Sequence, residues 1–158
     1  MPDRWGRMDQ ISRLVLVEVG RTLKEYGLLD SNSRSLPPSQ TVGLVAGTRR
    51  GSLTTDLAYC ASLQKGINHA SPALFSYTLA NISLAEAAVH YSLTGPVYAL
   101  FSKQPYEDAL QEAKRWLNTV NYPLQIVAGQ VDVFPDITSP LLSHKMEEYQ
   151  TGARFVVL

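Results

Sequence analysis

Four short apolar runs punctuate the chain: TVGLVAG (Thr41 to Gly47), VYALF (Val97 to Phe101), LQIVAG (Leu124 to Gly129) and ARFVVL (Ala153 to Leu158). A strand that is apolar at consecutive positions has no face left for water, so it has to be covered on both sides. Helical patterns lie between the runs. From Asp9 to Tyr26 the apolar positions Ile11, Leu14, Val15, Val19, Leu23 and Tyr26 recur at spacings of three and four, while Gln10, Arg13, Arg21 and Lys24 fall opposite. Gly27 supplies a stop. Thr54 or Thr55 is placed to cap a helix running to Lys65, which Gly66 closes. Ser83 and Glu86 stand at capping-box spacing before a short helix ending near Tyr91. Pro105 suits a first helical position, Glu107 and Asp108 complement the positive end, and Lys114 and Arg115 the negative end, which predicts a helix from Pro105 to Thr119. Strands alternating with helices imply an α/β fold with a mostly parallel sheet and flanking helices. Ser31 to Gln40 reads as loop, and residues 132 to 152 as mostly irregular.

At 158 residues the chain is sized for a single domain, residues 1–158, with one core. Fourteen basic and fourteen acidic side chains cancel, which disfavours nucleic acid and anionic membranes as partners. One cysteine, Cys60, excludes an internal disulfide, and His69, His90 and His144 are too scattered for metal-ligand spacing, so no metal is expected. The start MPDRWGRMDQ has no signal-peptide core, and no apolar run approaches the ~18 residues needed to span a bilayer. A soluble, cytoplasmic protein is expected.

The segments RMDQISRLVLVEVGRTLKEYGLL, VGLVAGTRRGSL, SPALFSYTLANISLAEAAVHYSLTGP, IVAGQVD and GARFVVL occur in an order that resembles the N-terminal half of a β-ketoacyl synthase of the thiolase-like superfamily, over residues 7 to 158. The resemblance implies a thiolase-like half-fold with an antiparallel closing strand. In that family the nucleophile is a cysteine at the strand-to-helix junction after the Gly-Pro turn. Counting about eight residues on from Pro96, or about twenty-four back from Ala128, lands on Gln104 both times. Its neighbours Ser102, Lys103 and Pro105 do not reproduce the small, serine-rich surroundings of that cysteine. The two active-site histidines of the family belong to its C-terminal half, and none of His69, His90 and His144 matches them. Nor does the stretch from Met1 to Arg7 read as the strand that precedes the family's opening helix.

Each singled-out residue has more than one reading. The resemblance links glutamine at position 104 to chain-length-factor subunits and to loading domains that decarboxylate malonyl groups; the plain alternative is a drifted, exposed residue near a helix start. A glutamine forms no thioester, although its amide can occupy an oxyanion region. Cys60, among Leu57, Ala58, Tyr59, Ala61 and Leu63, reads as a small buried hydrophobe, and His90 as a partly buried helix-end histidine. GTRRG (Gly47 to Gly51) reads as a structural turn rather than a phosphate loop, since it lacks the Lys-Ser/Thr of a P-loop, while Arg49 and Arg50 are candidates for contact with an acyl carrier protein. Leu74, Phe75, Tyr77 and Leu79 read as core or interface.

The resemblance therefore implies a catalytically inactive synthase-like protein, a structural or chain-length-type partner in fatty acid or polyketide biosynthesis. The alternatives are a condensing or malonyl-decarboxylating acyltransferase that takes its C-terminal half from another chain, and a truncated relic. It also implies a homodimer, or a heterodimer with a full-length ketoacyl synthase, joined through the strand Val97, Tyr98, Ala99, Leu100 and Phe101.

Overall fold

A computed structural model describes residues 4–30, 32–64, 66–134 and 151–158. A 3-10 turn, Trp5–Arg7, leads into α1 (Gln10–Glu25). Asp9 caps α1, its Oδ1 accepting from the Ser12 amide at 2.9 Å, and Ile11, Val15, Leu16, Val19 and Leu23 form the buried stripe. Leu16 joins the stripe although the spacing does not include it, and Tyr26, expected on it, is half exposed at the helix end. No strand precedes α1 among the described residues.

The apolar runs become strands: β1 (Val42–Thr48), β2 (Val97–Phe101), β3 (Gln125–Asp132) and β4 (Gly152–Val157). Among the described residues they form one sheet in the order β2-β1-β3-β4. β1 runs parallel to β2 and β3, and β4 closes antiparallel on β3 with Ala128 opposite Val156. Every residue of β1 is buried, as its unbroken apolar pattern demands. Alternation divides the core into two. Leu44, Ala46 and Val127 meet α1 and the helix α4 (Ala80–Tyr91), whereas Val45, Ile126 and Ala128 meet α5 (Pro105–Thr119) through Ala109 and Ala113. β3 runs three residues past the expected Gly129 because β4 pairs with Gln130, Val131 and Asp132.

Two helix starts differ from expectation. α2 (Leu53–Leu63) begins after Ser52, while Thr54 and Thr55 sit inside it and make long-range bonds instead, Thr54 to the Val133 carbonyl at 3.1 Å and Thr55 to Asp9 at 2.5 Å. α4 begins at Ala80, three residues before Ser83. Ser83 donates back to the Ala80 carbonyl, and Glu86 is buried, accepting from Tyr77 Oη at 2.9 Å and from Arg4 at 2.7 Å. A carboxylate used in this way does not fold back to cap its own helix.

α2 packs on the four-residue α3 (Pro72–Phe75) and on the 3-10 turn Ile67–His69, away from the sheet. Its outer face is therefore bare. Leu57, Ala58 and Cys60 are exposed, which corrects the expectation of a buried cysteine. Tyr77 is buried, but Phe75 and Leu79 are exposed. No helix among the described residues is long and apolar enough to cross a membrane. His144 and most of the expected irregular stretch lie outside the described residues.

Candidate functional site

The carboxyl ends of β1, β2 and β3 meet at one edge of the sheet, where open α/β sheets form their sites. β2 delivers Phe101 there, and Ser102, Lys103 and Gln104 carry the chain into α5. Gln104 is the N-cap residue of α5 (φ −123°, ψ 65°), is exposed, and its side chain makes no hydrogen bond among the described residues. Its backbone is fixed on both sides. The amide donates to Ser102 Oγ at 2.8 Å, and the carbonyl accepts from the Asp108 amide at 3.0 Å. The Ser102 hydroxyl donates in turn to the Asp108 carboxylate. Asp108 and Glu107 lie in the first turn, where negative charge offsets the helix dipole.

What seats α5 over the sheet is Gly47. A Cβ there would lie 1.9 Å from the Pro105 carbonyl oxygen, so only glycine lets the helix start come down onto the end of β1. The chain then turns through Thr48 to Gly51, and Asp132 holds that turn. Its carboxylate accepts from Thr48 Oγ1 at 2.8 Å and from the amides of Arg49 and Arg50, each at 3.0 Å. Thr48 Oγ1 accepts from the Gly51 amide at 2.8 Å. The amides that a phosphate loop would turn to its ligand are thus spent on an internal carboxylate. Arg49, Arg50, Phe101, Ser102 and Lys103 line an open groove beside Gln104, and the Arg50 guanidinium lies 5.7 Å from the Phe134 ring centre.

Tyr98, on the α5 side of β2, donates to Glu112 and accepts from Trp116 Nε1 at 2.6 Å. Arg115 reaches both oxygens of Glu112, at 2.5 and 2.8 Å. Hydrogen bonds from Arg115 and then Tyr98 hold the Glu112 carboxyl down to about 2, and burial together with Glu112 pushes the Tyr98 phenol up. This network staples α5 to the edge strand.

The other histidines and the cysteine do not converge on Gln104. His90 ends α4, half buried edge-on against Tyr91 at 4.7 Å, at the far end of the helix from Asn81, whose side chain reaches β2. Burial, with positive charge including Arg34 nearby, lowers its pKa. His69 is exposed in the 3-10 turn, and Cys60 is on the outer face of α2. No cluster of three metal-ligating side chains occurs among the described residues. Two residues that shape this edge, Asp132 and Asn81, escaped the sequence reading. An acid closing the buried run IVAGQVD was the available signal for the first; nothing local marks the second.

The family described as beta-ketoacyl synthase, N-terminal domain, matches residues 1–104. The chain belongs to that family. The matched segment ends on Gln104, and the fold likeness continues beyond it. The ishigamide ketosynthase/chain length factor superposes with a TM-score of 0.75 at 17% identity, covering 99% of this chain and 45% of that one. A ketosynthase in complex with its chain length factor from Xenorhabdus doucetiae gives 0.61 at 15% identity, covering 96% of this chain and 58% of that one. The chain thus spans about half the length of these structures. No curated protein matches the chain.

Proposed function

We propose that this chain is a non-catalytic, chain-length-type partner of a ketosynthase in fatty acid or polyketide assembly. The observation that carries the reading is Gln104 at the N-cap of α5, the strand-to-helix junction to which the resemblance assigns the family's nucleophilic cysteine. An amide there offers no thiolate, and its side chain has no hydrogen-bonded base or acid beside it among the described residues. That structures of similar fold include a ketosynthase in complex with its chain length factor supports the pairing. In this reading the protein works in the cytoplasm without a cofactor, β2 forms the contact with a second copy or a synthase, and Arg49 and Arg50 meet an acidic acyl carrier protein at the groove rim.

The test is intact-protein mass after incubation with acyl-carrier thioesters, in a Cys60→Ser background so that the exposed thiol does not confuse the result. No acyl adduct is expected on this chain, alone or co-expressed with a full-length ketosynthase, and the two chains are expected to co-purify. Gln104→Cys in the isolated chain is expected to show no condensing turnover. A stoichiometric adduct in the Cys60→Ser protein would overturn the reading, as would failure to capture any synthase together with a monomeric state at high concentration.

A further inference from the structure

Among the described residues β2 has a neighbouring strand on one side only, β1. The Leu44 amide donates to the Pro96 carbonyl at 2.8 Å and the Ser102 amide to the Thr48 carbonyl at 3.0 Å, so the even-numbered residues of this stretch address β1. By alternation Val97, Ala99 and Phe101 turn their amides and carbonyls outward. An edge of this kind invites a further strand unless something blunts it. One outward donor is already taken. Asn81, in the first turn of α4, places Oδ1 2.7 Å from the Ala99 amide, across eighteen residues of sequence.

The outward triad is symmetric about Ala99. A two-fold axis there would set Val97 of one copy opposite Phe101 of the other, with Ala99 facing Ala99 in a hydrogen-bonded antiparallel pair. The donor at the centre of that pairing is the one Asn81 occupies. We infer that Asn81 is a lock on the β2 edge: it satisfies the central amide in the separate chain and has to swing aside before a second copy of this chain can add its β2 antiparallel. At each Ala99 pairing then exchanges one hydrogen bond for another instead of gaining one, and only the flanking Val97–Phe101 pairs add bonds outright, which weakens association and disfavours strand addition by ill-matched sequences. The inference rests on the reading that β2 is an association edge.

Sedimentation equilibrium and amide hydrogen exchange on the whole chain test it with Asn81→Ala and Asn81→Asp. Asn81 is exposed at a helix start, so neither variant opens the core. In Asn81→Ala the Ala99 amide is expected to exchange faster in dilute monomer, and self-association is expected to tighten roughly ten- to a hundredfold, the net effect of two hydrogen bonds, one in each chain, no longer competing. Asn81→Asp keeps an acceptor and is expected to behave as the wild type at neutral pH. Unchanged Ala99 exchange, or association unchanged or weakened in Asn81→Ala, overturns the lock. If Asn81→Ala self-associates more tightly but neither protein captures a ketosynthase, the lock stands and the proposed partnership fails. If no variant self-associates at high micromolar concentration, the lock fails, and the partnership fails with it only if no ketosynthase is captured either.

Discussion

Replacing Gly47 by alanine is the sharpest test of how the site is seated. The added Cβ would lie 1.9 Å from the Pro105 carbonyl oxygen, 2.4 Å from its carbonyl carbon and 2.6 Å from its Cα. Non-bonded carbon contacts below 3.0 Å essentially do not occur, so the start of α5 has to move by at least about 1 Å (3.0 − 1.9). The obstacle is backbone, and no rotamer change relieves it. Pro105 is buried, and the helix it opens carries Ala109 and Ala113 fully buried against Val45, Ile126 and Ala128, so the displacement spreads into that core. Overpacking of this sort costs about 1–3 kcal/mol, and a backbone clash belongs at the upper end. Opposing it, alanine restricts the unfolded chain and recovers about 0.4–1 kcal/mol. The clash wins, by about 2 kcal/mol. For a chain of this size that corresponds to a Tm lower by roughly 4–8 °C. Gly6→Ala is the control, because nothing lies within 4 Å of the Cβ it would add. Thermal melts followed by far-ultraviolet circular dichroism, with urea midpoints alongside, give the comparison. If Gly47→Ala melts with the wild type while Gly6→Ala does too, α5 is not seated as described.

Three further outcomes follow from named contacts. Asp132→Ala leaves the Thr48 hydroxyl and the amides of Arg49 and Arg50 without their acceptor, and should cost about 1–3 kcal/mol in urea unfolding, with faster exchange at both amides. Glu112 has a folded pKa of about 2 against an ordinary 4.5, so its contribution to stability is complete above pH 4.5 and is lost as pH falls towards 2. Urea midpoints at pH 7 and pH 3 should therefore differ less in Glu112→Gln than in the wild type, and an equal difference would remove the network from the acid response. Cys60 on the open face of α2 should react with one equivalent of a thiol reagent in native buffer at nearly the rate seen in denaturant; protection by orders of magnitude would bury it after all.

Periodicity and punctuation by themselves determined α1, the strands and α5, because each is held by signals within its own residues. The continuous apolar run of β1 requires cover on both faces, and Pro105, Glu107 and Asp108 mark a helix start wherever it is placed. The resemblance carried in those same residues led to the family and to Gln104 at the strand-to-helix junction. Burial and long-range bonding were decided elsewhere. Ser83 and Glu86 have the spacing of a capping box, yet Glu86 bonds Tyr77 and Arg4, and the helix starts earlier. Cys60 sits among apolar neighbours in sequence, but α2 packs off the sheet, and a side chain is buried only if another element covers it. The Asp132 clasp joins the ends of β1 and β3 across more than eighty residues, and Asn81 reaches Ala99 only because α4 folds back beside β2. Such contacts exist only once the sheet has assembled, since the groups that make them are adjacent in space and not in sequence.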